Sequence, residues 1–296
     1  MPDGSSHAPN APAPAAAAKA DEPAKKHMMY SSWQSKPQSE WTFSQRVLAR
    51  LDVLPNMPGQ KAAPIKKIGD PIPVWTMSSQ AMIAIPWTVP PIALHWAYMK
   101  FTGNTVHPVA AYLLYTAAYN LLSLFTTQKT NKMGLKYGFF DSAVKRDGVP
   151  DARTDYVLFE VLKVVLLRPL LGLILAYNRE EVPSISILFP LKLAAFSMVL
   201  DFFFYTYHRA MHEVDFLWRF HSLHHRTKHP VSLLSAFADW EQEIVDAFGV
   251  PALTYLVMMN VPYLTVNYFE AFACMMFIVT AESGGHSGAR VCEFGT

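Results

Sequence analysis

Six apolar blocks, most of them long enough to cross a lipid bilayer, constrain the fold of this chain more than any other feature. Apolar residues make up 51% of the chain and charged residues only 16%, which is too apolar for an ordinary soluble domain. A helix needs about 20 apolar residues to cross a bilayer. The blocks span residues 81–101, 108–125, 156–177, 185–205, 244–259 and 264–281. They predict an all-α fold, a multi-pass transmembrane helical bundle with about four to six spans.

Two of these blocks leave the number of spans open. The first contains Pro86, Pro90 and Pro91, and the fifth is short and contains Asp246. Proline removes a backbone hydrogen bond, and a charged group is costly inside a bilayer. Either block could therefore be a re-entrant or interfacial segment rather than a span.

The N-terminal region differs in composition from the rest of the chain. Its first part is rich in alanine and proline, so we predict that residues 1–60 form a disordered, low-complexity tail and that residues 61–296 form the membrane domain. Within the tail, apolar residues at helical spacing predict an amphipathic helix near 41–53. This helix could lie on the membrane surface or cap the folded domain.

Histidines are concentrated directly behind the fourth apolar block. Six of the eleven lie in one short window, at His208, His212, His221, His224, His225 and His229. The first two are four residues apart, and the next three have spacings of three and four, so each group can occupy one helical face. A continuous helix would place the two groups about half a turn apart. We therefore predict a break within 213–220, with Asp215 as the expected position.

Such converging imidazoles are typical of a metal site. Imidazole binds iron, zinc and copper, and five histidines exceed the need of one tetrahedral site, which leaves two ions, or one ion with supporting rings, as alternatives. Each ligating ring also needs an acceptor for its other nitrogen. The carboxylates predicted for that role are Glu213, Asp215, Asp239, Glu241 and Glu243. We predict that His229 is a loop residue, and that His95 and His107 are polar positions whose hydrogen bonds are satisfied.

Charge indicates which side of the membrane carries the histidines. Basic residues gather at 66–67, 129–153 and 209–228, and the positive-inside rule places all three regions in the cytosol. If the last two blocks form a hairpin, His286 faces the cytosol as well. The two cysteines, Cys274 and Cys292, are too few for a disulfide framework, in agreement with a reducing compartment. The net charge of +2 is too small to indicate a nucleic-acid partner.

The order of the histidines resembles that of the fatty acid hydroxylase and sterol desaturase superfamily of membrane di-iron enzymes. That family has HxxxH, HxxHH, a His-Ser-Gly and a second HxxHH. Here His208 and His212 match the first motif, His221, His224 and His225 the second, and His286 the third. The resemblance implies that these six histidines are metal ligands.

The same resemblance implies a chemistry and a location. It implies two non-haem iron ions, which zinc can replace in a preparation, and dioxygen-dependent hydroxylation or desaturation of a sterol or fatty-acyl lipid. Electrons would come from NAD(P)H through a reductase and cytochrome b5. The chain would be a multi-pass protein of the endoplasmic reticulum membrane, with a histidine-rich helical cap in the cytosol.

Two departures from the family pattern leave alternatives open. A second HxxHH should follow the His-Ser-Gly, but no histidine follows His286, so we expect the domain to be C-terminally incomplete. The chain could then be a catalytically inactive remnant. In addition, residues 236–241 read AFADWE where many relatives carry a histidine and a proline. A metal transporter is a third alternative, which is disfavoured because the histidines follow the apolar block and lie among arginines.

Overall fold

The described part of the chain is an all-α bundle with one minimal sheet. A computed structural model describes residues 29–67, 69–141 and 143–293, so predictions about residues 1–28 lie outside the described residues. The main helices are α1 (Phe43–Arg50), α2 (Met77–Thr102), α3 (Pro108–Tyr137), α4 (Thr154–Ala176), α5 (Phe189–Glu213), α6 (Asp215–His221), α7 (Trp240–Ile244), α8 (Val250–Asn260) and α9 (Tyr268–Gly285).

The apolar blocks coincide with the long helices of the bundle. Helices α3 and α5 are long and apolar enough to cross a membrane, judged by length and composition. Helix α2 continues through its three prolines without interruption, whereas α8 has only 11 residues and is preceded by a π-helical turn at Val245–Gly249. These observations support the membrane-type all-α fold that the sequence predicts; the number of spans stays a prediction.

Helix α9 lies at the centre of the bundle. It packs against α2, α3, α4 and α5, while α5 packs mainly against α8. Near its N-terminal end, buried aromatic rings fill the core: Tyr115 stands edge-on to Tyr268 and Phe272 at 5.0 and 4.7 Å between ring centroids. This packing of large rings between α3 and α9 holds α9 in a fixed position, and the His-Ser-Gly motif follows directly at its end.

The segment before α2 packs onto the bundle rather than forming a tail. Trp33, Leu48 and Leu54 are each about 1% exposed and pack in one cluster with Val149 and Phe237. Burial of such side chains contributes roughly 1.5–3 kcal/mol each. The predicted tail over 1–60 is therefore wrong for the described residues 29–54. The predicted helix near 41–53 is present as α1, which packs against α4 and so favours the capping alternative.

The C-terminal segment returns across the bundle after α9. Strand β2 (Cys292–Glu293) pairs in parallel with β1 (Val74–Trp75), and Ala289 bridges to Phe139. The Arg290 guanidinium donates a hydrogen bond of 2.8 Å to the carbonyl of Pro71. These contacts between distant parts of the chain fix the residues directly after His286.

Candidate metal centre

A sharp turn between α5 and α6 brings the first two histidine groups together. Helix α5 ends at Glu213, Val214 is extended with φ −110° and ψ 111°, and α6 begins at Asp215. The predicted break within 213–220 is confirmed, although it falls at Val214 rather than Asp215. As the first residue of α6, Asp215 instead places a negative charge at a helix N-terminus, where the helix dipole favours it.

Four histidine side chains converge at this turn through their Nε2 atoms. His208 Nε2 lies 3.1 Å from that of His212 and 3.1 Å from that of His221. His225 Nε2 lies 2.9 Å from that of His221. All four ligand atoms lie within 4.8 Å of one another. We call His208, His212, His221 and His225 the four-histidine group.

The spacing of these nitrogens fits a metal ion. Two nitrogens that each lie about 2.1 Å from one ion, at right angles, would be about 3.0 Å apart, as they are here. Metal binding also requires neutral imidazole. Burial lowers the pKa of His221 and of His225, so the neutral form is favoured at physiological pH. The donor set is therefore suited to a divalent transition metal.

The ring of His221 is oriented by an amide. His221 Nδ1 lies 2.8 Å from Gln242 Oε1, and Gln242 Nε2 donates to Asp246 Oδ2 at 3.0 Å. Because the amide oxygen can only accept, Nδ1 of His221 carries the proton and Nε2 keeps its lone pair. The acceptor is therefore an amide and not one of the five predicted carboxylates. The i, i+4 spacing of Gln242 and Asp246 was the available signal.

The other two predicted ligands form a separate pair beside the four-histidine group. The ring centroids of His224 and His286 are 5.7 Å apart. His286 Nδ1 donates to the carbonyl of Glu282 at 3.0 Å, which leaves Nε2 as an acceptor. Nδ1 of His224 is buried without a hydrogen-bond partner, and burial lowers the pKa of His224 to about 3. An orphaned, neutral imidazole nitrogen of this kind is a suitable metal ligand.

The local structure explains why a serine and a glycine follow His286. Ser287 Oγ donates to the carbonyl of Gly284 at 2.7 Å and accepts from the backbone N–H of Ala289 at 3.1 Å. Gly288 has φ +61°, and a β-carbon there would lie 2.1 Å from Nη1 of Arg146. The left-handed conformation favours glycine, and any larger residue would also displace the guanidinium of Arg146. The motif thereby closes α9 and holds His286 at its end.

Three further histidines lie outside this constellation. His229 is not part of the four-histidine group. Its Nδ1 contacts Asp141, and its backbone N–H donates to the carboxylate of Asp147 at 2.7 Å. His95 is 2% exposed and its Nδ1 lies 3.1 Å from the hydroxyl of Tyr115. His107 accepts from the backbone N–H of Val109 and caps α3. His229 and His107 have local structural partners, as predicted. The prediction that the hydrogen bonds of His95 are satisfied is wrong for its Nε2, which is buried without a hydrogen-bond partner.

Comparison with known proteins assigns the family. Residues 193–295 match the fatty acid hydroxylase family. The chain is also 30% identical, over 254 residues, to the fatty acid hydroxylase vlmA of a Lecanicillium species; the match covers 78% of this chain and 69% of that protein. This chain belongs to the fatty acid hydroxylase superfamily. No solved structure gives a significant match. Membership makes the chain a hydroxylase-type oxidoreductase and, with its apolar helices, a membrane protein.

An apolar cavity leads to the histidines of this hydroxylase family member. Its volume is about 760 Å³, and α4, α5, α8 and α9 line it. His208, His224 and His286 lie at one end. Near that end the wall also carries an ion pair, in which Arg168 Nη1 lies 2.7 Å from Glu282 Oε2. Apolar side chains such as Leu175, Met275 and Ile278 line most of the rest. The cavity therefore offers an apolar ligand a route to the histidine rings.

Proposed function

We propose that this protein hydroxylates a lipid of the fatty-acyl or sterol class in a dioxygen-dependent reaction. One oxygen atom would enter a C–H bond and the other would leave as water, with NAD(P)H supplying two electrons. The balance is RH + O₂ + NAD(P)H + H⁺ → ROH + H₂O + NAD(P)⁺. The observation that carries the proposal is the opening of one apolar cavity onto converging imidazoles. Desaturation of the same lipid would use the same site and reactants.

The residues present fit two iron ions. The four-histidine group would hold one ion, and His224 and His286 would contribute to a second. When bound, iron supplies the activation of dioxygen. Hard carboxylate ligands are not needed for this set, since imidazole suits iron well. Zinc, which accepts the same ligands, would be expected to compete with iron in a preparation.

The surrounding side chains would bind the substrate and keep the site in order. Gln242 holds His221 in the tautomer that can bind a metal. The apolar walls between α4 and α5 exclude water and hold a lipid tail. Arg168 and Glu282 neutralise each other in the wall, so that neither charge opposes an apolar ligand.

Electron supply and location complete the proposal. We expect a separate reductase and cytochrome b5 to deliver the electrons, and we expect residence in the endoplasmic reticulum membrane with the histidines in the cytosol. The support is the distribution of lysine and arginine at 66–67, 129–153 and 209–228. A cytosolic metal centre would be accessible to a soluble or peripheral electron donor.

Labelled dioxygen tests the proposed reaction. Microsomes from a host that expresses the protein, supplied with NADPH and ¹⁸O₂, should yield a hydroxylated lipid that contains one ¹⁸O atom. The His221→Ala, His224→Ala double variant should yield none, while His229→Ala, as a matched histidine control, should remain active. Lipid extracts identical to those of the empty host, or product oxygen derived from water, would overturn the proposal.

A further inference from the structure

Gly172 occupies an unusual position in α4. It lies within a run of large apolar residues, between Leu171 and Leu173, and it lines the cavity. Glycine weakens a helix interior by roughly 1 kcal/mol relative to alanine because it loses more backbone freedom on folding. A glycine here therefore needs a physical reason.

Neither backbone geometry nor helix packing supplies that reason. Gly172 is not among the glycines with positive φ. A β-carbon built on Gly172 meets nothing within 4 Å, whereas one on Gly134 would lie 2.3 Å from the ring of Phe139. Gly134 is thus required by close packing, and Gly172 is not. What Gly172 leaves empty is space inside the cavity.

The position of Gly172 along the cavity follows from two contacts. Arg168, one turn earlier on α4, pairs with Glu282, and Tyr177 at the end of α4 contacts Tyr268 with ring centroids 5.0 Å apart. Helices α4 and α9 are therefore antiparallel. Since His286 lies one turn beyond Glu282, Gly172 is about two helical turns, ~11 Å, from the histidine end. A tail that extends further than this from the reacting carbon must pass Gly172.

We propose that Gly172 determines the tail length that the cavity admits. The inference rests on the proposed function for the identity of the ligand, a linear lipid tail. The absent side chain leaves the passage between α4 and α9 wide enough for the distal part of a long tail. A larger side chain would block that part and leave the histidine end unchanged, so that short tails still bind.

Replacing Gly172 by leucine tests this inference. Purified protein is incubated with an equal mixture of octanoate and stearate, and the retained acids are quantified by mass spectrometry. We expect Gly172→Leu to lower the ratio of stearate to octanoate about tenfold, the effect of a misfit of one or more methylenes in an apolar pocket. Gly172→Ala should lower it by a smaller factor. The matched control is Ile174→Phe, which adds volume on the exposed face of the same helix and should leave the ratio unchanged.

The binding assay separates this inference from the proposed function. If the ratio of retained acids changes in the Gly172 variants but neither acid is hydroxylated, the inference about tail length stands and the proposed activity is wrong. If the wild type hydroxylates an acid but neither Gly172→Leu nor Gly172→Ala changes the ratio of retained acids, the inference about tail length is wrong and the proposed activity stands. If Gly172→Leu fails to fold, the ratio of retained acids in Gly172→Ala tests the inference instead.

Discussion

His225 and His229 are four residues apart, yet their rings lie in different environments. Nε2 of His225 faces Nε2 of His221 at 2.9 Å, with Trp218 stacked at 5.8 Å between ring centroids. The ring of His229 contacts the carboxylate of Asp141, which also pairs with Arg146. One ring is turned toward other imidazoles, and the other is held by a charge.

This difference shows what distinguishes the candidate metal ligands from a structural histidine. A neutral imidazole has one donor and one acceptor. His221 uses its donor on Gln242, so its Nε2 can only accept, yet that atom faces the Nε2 atoms of both His208 and His225. The lone pairs of a converging set repel one another unless a proton or a cation lies between them. The carboxylate beside His229 satisfies its ring without a metal.

The largest expected effect separates the two environments by metal content. His221→Ala removes the central ring of the four-histidine group and should reduce metal affinity by more than the ~10–100-fold loss typical of a supporting residue. His229→Ala should leave the metal content unchanged. Elemental analysis of the two detergent-purified variants, beside the wild type, measures both. An equal loss of metal from the two variants would show that His229, despite its contact with Asp141, has the same role as His221.

The sequence predicts much of the site because its histidines are near one another along the chain. The i, i+4 spacing and the break before α6 are local properties, and both can be inferred from residue types alone. Charge and the predicted hairpin place His286 on the face that carries the other histidines, but only the family resemblance makes it a predicted ligand. Its exact position depends on α9 and on the return of Arg290 to Pro71, more than 200 residues away in sequence.

The N-terminal region shows why the remainder could not be predicted. Ser32 and Trp33 donate their backbone N–H groups to the carboxylate of Asp151, at 2.7 and 3.1 Å. The indole of Trp33 donates to the carbonyl of Val149 at 3.0 Å. Every partner lies more than 110 residues away. Composition favours disorder for this segment, but tertiary contacts that composition does not encode order residues 29–54.

A smaller effect is expected from the amide behind His221. Gln242→Leu keeps the approximate volume and removes both hydrogen bonds, so the His221 ring loses the acceptor that fixes its tautomer. We expect metal affinity to fall about 10–100-fold, with the fold retained. Glu241→Gln, at the neighbouring residue, is the matched control and should bind metal like the wild type. A competition titration with a chelator measures the affinities. If Gln242→Leu binds metal with wild-type affinity, Gln242 does not orient the His221 ring for metal binding.

A change at Asp141 should affect stability and not metal content. Burial alone would raise the pKa of Asp141, but hydrogen bonds from His229 and Arg146 outweigh it and hold that pKa below its usual range. A lowered pKa in the folded state stabilises the fold above the unfolded value of about 3.9, and this contribution disappears as the pH falls through the folded pKa.

Asp141→Asn should therefore destabilise the protein at neutral pH by about 1–3 kcal/mol, because the Arg146 side chain is only 3% exposed and would keep an uncompensated charge. Below about pH 4 the difference from the wild type should shrink. Thermal unfolding in detergent across this pH range measures it. Asp52→Asn, which removes an exposed ion pair of 3.8 Å with Lys132, is the control and should change little. Loss of metal in Asp141→Asn would contradict the separate role of His229, because it would show that the contact between Asp141 and His229 affects the four-histidine group.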